Sequence, residues 1–289
     1  MIDLSQFRYD GDKKLDIFTF KTNFTDDYRS KDEALPFFNE NIKTMIEEQS
    51  KFFACANFSL LLIFQAMDAA GKDGAISHVM SGLNPQGTQV HSFKQPESEE
   101  QLHDYLWRVS NHLPEKGKIG IFNRSYYEEV LVVRVHNLIE NEKIPPEYTK
   151  NIWERRFKQI NNYEEYLLEN GVISIKFFLH ISKEEQKERL LSRINDKSKN
   201  WKFSQADIKE RQYWKKYQES YEEAINNTAT KAAPWYVVPS DKKWFSRLVI
   251  SEVIVKTLKS LKLEYPVLDK EHLALLEKYK RLLEDGGEL

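Results

Sequence analysis

Phe64-Gln65-Ala66-Met67-Asp68-Ala69-Ala70-Gly71-Lys72-Asp73-Gly74-Ala75-Ile76 follows an apolar run and carries the frame of a phosphate-binding loop with one part exchanged. In the usual pattern, G-x-x-x-x-G-K-[ST], backbone N–H groups wrap the phosphates, the Lys reaches the β/γ oxygens and the hydroxyl ligates Mg²⁺. Gly71-Lys72 is kept, whereas Ala66 stands at the first Gly position and Asp73 at the hydroxyl position. A carboxylate there can hold a dication directly, but it brings a full negative charge into a phosphate site. Such a loop suits a metal-rich or polyanionic ligand. An ordinary strand-to-helix turn would also place Gly at the bend, so its surroundings must decide.

Outward from the loop, strand and helix patterns alternate. Phe58–Phe64 is a near-continuous apolar strand, as expected when both faces of a parallel sheet are covered. Ala75 to Met80 begins a helix whose N-terminus would face the phosphates. Further strands are expected at Thr88–Phe93, Lys118–Phe122, Val172–His180 and Trp235–Val238. Helical stretches are expected at Glu97–Leu113, after Ser125 with a break at Pro145-Pro146, at Lys243–Leu261 and at Glu271–Leu283. This alternation implies a parallel sheet whose ligands bind at the carboxyl ends of the strands. Residues 1–50 precede the first sheet strand and read as an appended helical region, followed by a core at 51–265 and a C-terminal helix at 266–289.

The chain has 289 residues, 40% apolar and 30% charged, the profile of a water-soluble globular domain. The N-terminus lacks an apolar leader, and the longest apolar run is far below the about 18 residues that span a membrane. No membrane partner is therefore expected. The single Cys55 excludes an intrachain disulfide framework, and a reducing cytoplasm is the simplest home. The seven histidines form no metal-ligand spacing.

Net charge is −2, but its distribution is uneven. Lys187 to Lys216 holds Lys187, Arg189, Arg193, Lys197, Lys199, Lys202, Lys209, Arg211, Lys215 and Lys216 against only Glu188, Asp196, Asp207 and Glu210. Such a stripe can focus a field on an otherwise acidic protein, although a solvated pair of helices would read the same way. At the exit of the third strand, enzymes with this loop usually place an Asp that supports Mg²⁺. Here the position is Asn123. Arg124 could clamp a phosphate bidentately, and Glu128 could restore the missing carboxylate if it faces the site. The bland alternative is a helix cap with a surface arginine.

Six strings, in order, resemble the polyphosphate kinase 2 family: 66–74 (AMDAAGKDG), 81–87 (SGLNPQG), 122–128 (FNRSYYE), 176–180 (KFFLH), 200–204 (NWKFS) and 233–236 (APWY). Asn123 and the 200–204 block resemble the subgroup acting on nucleoside mono- and diphosphates, although Ala66 replaces the Gly often found there. The resemblance implies an α/β fold: a P-loop kinase-like three-layer sandwich with a parallel five-stranded sheet and a helical lid at 195–232. It implies Mg²⁺-dependent, reversible phosphoryl transfer between inorganic polyphosphate and purine nucleotides by a cytoplasmic homo-oligomer with no nucleic-acid partner.

Carried onto this chain, the resemblance makes Asp68, Lys72 and Arg124 the catalytic residues. Ala69, Ala70, Gly71, Lys72, Asp73, Gly74 and Arg124 would cradle phosphate. Arg193, Lys199, Lys202, Arg211 and Lys215 would guide the polyphosphate chain, and Asp68, Asp73 and Glu128 would hold Mg²⁺. Two other readings fit the bare motifs. One is an ATP-dependent nucleotide or small-metabolite kinase. The other is a non-catalytic polyanion or nucleic-acid binder in which Trp201, Phe203, Tyr213 and Trp214 stack bases among the cations. Retention of Lys72, Arg124 and Glu128 together favours catalysis.

Overall fold

The computed structural model describes residues 2–142 and 144–286. In chain order the strands are β1 (Arg8–Tyr9), β2 (Ser59–Gln65), β3 (Thr88–Ser92), β4 (Ile119–Asn123), β5 (Val172–His180) and β6 (Trp235–Pro239). The α-helices are α1 (Lys31–Cys55), α2 (Lys72–Val79), α3 (Trp107–Ser110), α4 (Val132–Val135), α5 (Ile152–Glu169), α6 (Lys183–Asn195), α7 (Gln205–Glu210), α8 (Trp214–Thr228), α9 (Lys243–Ser260) and α10 (Lys270–Glu284). The sheet order is β1-β6-β5-β2-β4-β3. All neighbours are parallel except β1, which pairs antiparallel with β6.

β2 shows why the sheet is sandwiched. All seven of its residues are buried, and alternate side chains enter different cores. Leu60, Leu62 and Phe64 pack with Phe52 of α1, Ile76 of α2 and Val249 and Val253 of α9. Leu61 and Ile63 pack with Ile160 and Leu167 of α5 and with Ala224 and Ile225 of α8. Period-two geometry thus spends one strand on two cores, each buried Leu or Ile contributing about 1.5–3 kcal/mol. The result is three layers, helices on either face of one sheet.

The sheet has six strands where five were expected, because the N-terminal segment supplies an antiparallel edge. Phe7 accepts from the Val237 N–H at 2.9 Å and stacks edge-on against Phe245 of α9, with centroids 6.1 Å apart. A two-residue strand is too short to show an alternating pattern, and its partner lies more than 200 positions away in sequence. Apart from a 3₁₀ turn at Leu4–Gln6, helix begins at Lys31, where Ser30 caps α1 by accepting from the Glu33 N–H.

Two expected helical stretches are broken. Between Glu97 and Leu113 the chain forms a 3₁₀ turn at Glu100–Leu102 and the four-residue α3. After Ser125 it runs as a 3₁₀ turn, Tyr126–Val130, before the short α4. Within 195–232, α8 buries Tyr217, Tyr221, Ala224 and Ile225 in the core. The preceding Asn200–Lys202 turn and α7 bury no residue. β2 lies between β4 and β5, so the sheet reverses its winding there and opens a crevice at the carboxyl ends.

Candidate active site

The loop leaving β2 enters that crevice. Gly71 caps α2 with φ +97°, a left-handed conformation that glycine adopts without steric cost. A Cβ at this position would lie 3.4 Å from the Arg189 guanidinium. Ala69 is left-handed as well, at φ +61°. Lys72 is buried, and its ammonium donates to the Ala66 carbonyl at 2.9 Å, folding back across the loop. Burial pushes the Lys72 ammonium below its ordinary pKa, the neighbouring Arg124 adds to this, and Asp68, Glu128 and Asp73 oppose it. An arriving phosphate would supply the charge that favours the protonated form.

β4 delivers the facing segment. Arg124 sits at φ +66°, with its backbone N–H bonded to the Phe64 carbonyl at 3.0 Å. Its guanidinium donates to Asp68 Oδ1 at 2.9 Å and lies 4.0 Å from Glu128 Oε2. Gln65, with its amide nitrogen turned toward Glu128, donates to Oε1 at 2.9 Å and accepts from Ser125. Burial pushes the Glu128 carboxyl above its usual range, against the pull of Arg124 and Lys72. Asn123, beside Arg124, donates to Asp73 Oδ1 at 2.8 Å.

Together these segments form one wall of a cleft of about 930 Å³. Asp68, Ala69, Ala70, Gly71, Lys72, Asp73, Gly74, Arg124, Arg193, Lys199 and Lys202 all line it. Arg193 is engaged, donating to Asp207 Oδ2 of α7 at 2.7 Å. Lys199 pairs with Asp196 at 2.7 Å. Arg211 and Lys215 are absent from the lining. Arg211 instead donates to Gln186 Oε1 at 2.6 Å, and Gln186 in turn holds the Asp68 carbonyl at 2.8 Å. Lys215 is exposed and pairs with Glu219 at 3.6 Å, one turn along its own helix. Helical rotation explains both outcomes: a stripe read along the chain does not keep one face. Glu128 is likewise absent from the lining, with its Oε2 4.0 Å from the Arg124 guanidinium.

Four cations lining the cleft, Lys94, Arg189, Lys243 and Arg247, were not singled out as site residues by sequence reasoning. Arg189 of α6 reaches beneath the loop, donating to the Ala70 and Ser240 carbonyls at 2.5 Å each. Lys243 and Arg247, on the first turns of α9, face the loop from the other side. Burial lowers the Lys243 pKa, and Arg189, Arg247 and Lys199 lower it further against Glu185. So many like charges around one cleft form an electrostatic seat for an anion. Residues 240–247 follow a strand at the ligand-binding edge of the sheet, and that position was the signal available in the sequence.

Among the described residues, no three His, Cys, Asp or Glu side chains converge into a ready-made metal site. Asp68 and Asp73 each have one oxygen engaged by a neighbour, Arg124 and Asn123 respectively. Both side chains line the cleft. Hard carboxylate oxygens beside phosphate-binding groups suit a dication that keeps most of its shell as water and phosphate oxygens. The residues present therefore fit such an ion.

A lysine folded onto a phosphate loop, with an arginine opposite it in a cation-lined crevice, is the arrangement of an enzyme that moves phosphoryl groups by positioning and charge. The family model described as Polyphosphate kinase 2 (PPK2) matches residues 29–266, and the chain belongs to that family. It is 47% identical over 268 residues to the ADP-polyphosphate phosphotransferase of Rhodopseudomonas palustris, covering 92% of this chain and 93% of that protein. It is 43% identical over 234 residues to the AMP/ADP-polyphosphate phosphotransferase of Meiothermus ruber, covering 81% and 83%. Among solved structures, Polyphosphate Kinase 2 from Arthrobacter aurescens TC1 superposes with a TM-score of 0.84 at 37% identity, covering 94% of this chain and 95% of that one.

Proposed function

We propose that the chain transfers phosphoryl groups between inorganic polyphosphate and nucleotides. One observation carries the reading: the cations do not stop where a single nucleotide would need them. Lys72 and Arg124 stand at the loop, and Lys199, Lys202, Lys243 and Arg247 line the same cleft. A chain of phosphates can engage all of them at once. Lys72 carries charge on the transferring group, and Arg124, oriented by Asp68, clamps the phosphates on either side of it. The acceptor is already an ionised phosphate oxygen, so no strong general base is required. Asp68 orients Arg124 and the acceptor.

Mg²⁺ belongs to the proposal. Asp68 and Asp73 would hold it, with Glu128 the third candidate, and it would neutralise charge on the donor and acceptor oxygens. Purine mono- and diphosphates are the proposed acceptors. Neither a nucleic-acid nor a membrane partner is part of the reading. Among the described residues no helix is long and apolar enough to cross a membrane. A cytoplasmic setting is supported by the single cysteine. A homo-oligomer is supported by exposed Leu273, Leu276 and Leu283 on α10.

The test is a donor competition. Purified protein is given Mg²⁺, each nucleoside mono- and diphosphate, and either long-chain polyphosphate or ATP. Phosphorylated nucleotide formed from polyphosphate is expected, and turnover with ATP alone as donor would assign the site to an ordinary kinase.

A further inference from the structure

Behind the Arg124 segment lies a polar cluster that the transfer step itself does not touch. Glu164 of α5 and Lys176 of β5 are both fully buried and form an ion pair at 2.5 Å. Two tyrosine hydroxyls converge on the same carboxylate: Tyr126 donates to Glu164 Oε1 at 2.7 Å and Tyr127 at 2.9 Å. Lys176 also donates to the Tyr127 hydroxyl at 3.0 Å and to the Thr228 carbonyl at 2.7 Å. The side chains of Glu164 and Lys176 are both fully shielded from the surface.

A buried ion pair of this kind is poor evidence for a stabilising role, because well-packed apolar residues commonly do as well. Its position is more informative. Tyr126 and Tyr127 come directly after Arg124-Ser125, where Arg124 holds φ +66°. A non-glycine residue lasts in that conformation only where its surroundings over-determine it. On the upstream side the Arg124 N–H is bonded to Phe64 O, and at the turn Ser125 Oγ accepts from the Tyr127 N–H. On the downstream side the two tyrosines are tied to one carboxylate inside the core. Burial and the adjacent Glu164 push both phenols well above their ordinary pKa, which keeps them hydrogen-bond donors.

We infer that Glu164 is a positioning residue: by holding the Tyr126 and Tyr127 hydroxyls, it fixes the backbone that aims the Arg124 guanidinium into the cleft. The inference rests on the reading of Arg124 as the phosphate clamp. The acceptor oxygen at position 164 is the essential part, and the negative charge matters only because Lys176 lies beside it. Small misplacements of a transition-state group can cost on the order of 10² in rate.

Four variants test this, each measured for kcat, for KM toward donor and acceptor, and for melting temperature. Glu164→Gln with Lys176→Met removes both charges but keeps an oxygen for the tyrosines, and should stay within about threefold of wild-type kcat. Glu164→Leu with Lys176→Met removes the acceptor, and should lower kcat by on the order of 10–10² with both KM values nearly unchanged. Tyr126→Phe with Tyr127→Phe leaves the ion pair in place and should reproduce that kcat loss, which keeps the test open if the apolar pair does not fold. Wild-type kcat in the folded tyrosine variant, or parallel rises in both KM values, overturns the inference. Arg124→Ala is the separate control: wild-type turnover there removes the clamp reading itself, whereas a damaged Arg124→Ala beside an unaffected tyrosine variant removes only the role of Glu164.

Discussion

Asn123 gives its side-chain amide to the Asp73 carboxylate at 2.8 Å, so two departures from the usual phosphate-loop chemistry form one contact. The acid ordinarily found at the strand end has moved into the loop, and a neutral donor at the strand end now holds it. Position by position, the chain looks as if it had lost the hydroxyl and the carboxylate. In space the carboxylate stands in the loop and an amide at the strand end donates to it. Asn123→Asp should therefore set two carboxylates against each other and lower kcat/KM by about 10–10², the scale of losing one preorganised group. Adding Asp73→Ser to that variant restores the usual pairing and should recover much of the loss. Steady-state kinetics across a Mg²⁺ titration measures both, and a double variant worse than the single one would contradict this pairing.

Lys72 is buried against the Ala66 carbonyl with its ammonium already depressed by burial. Removing it lifts a desolvation cost while deleting a charge from the reacting centre. Lys72→Met should lower kcat by on the order of 10²–10⁴ without reducing the melting temperature. A thermal scan beside the kinetics separates the two effects.

The cleft also predicts which cations guide the donor. Lys243→Gln with Arg247→Gln, and separately Lys199→Gln with Lys202→Gln, should raise the KM for long polyphosphate and flatten its salt dependence, since each lost contact releases fewer counterions. Lys215→Gln, on an exposed side chain outside the cleft, should change neither. Asp207→Asn frees Arg193 from its ion pair and should lower the polyphosphate KM. KM measured at several ionic strengths and fixed Mg²⁺ checks the whole set.

His180 gives a pH signature. It is buried at the end of β5, and burial lowers its pKa from 6.5 to about 4. The unfolded chain then binds the proton first, so the stability this histidine contributes is complete above pH 6.5 and is lost as pH falls toward about 4. The span corresponds to roughly 3 kcal/mol. His180→Phe keeps the packing against Phe178 and Phe20 and should flatten the melting temperature between pH 6.5 and pH 4.5. Equal slopes for both proteins would contradict this.

The loop and the central strands were legible because their signals are local. A glycine-lysine turn sits at fixed spacing, and strands buried on both faces read as apolar runs, so Val172–His180 matches β5 to the residue. What escaped depends on distance in sequence. The two-residue β1 exists through its partner β6, and Arg189, Lys243 and Arg247 reach the loop from α6 and α9. The basic stripe divides in space for a different reason. Arg211 and Lys215 share its sequence neighbourhood with Arg193 but not its direction, because one turns toward Gln186 and the other toward Glu219. Helical phase across the Asn200–Lys202 turn and the short α7 cannot be carried by periodicity through so many breaks.

The account stands most directly on where the transferred phosphoryl group comes from. Polyphosphate labelled with ³²P is incubated with Mg²⁺ and unlabelled nucleoside mono- or diphosphate, and the nucleotides are separated and counted. Label should appear in the terminal phosphate of the product with wild-type protein and fall to near background with Lys72→Met. Unlabelled nucleotide in the presence of bound, intact polyphosphate would contradict it.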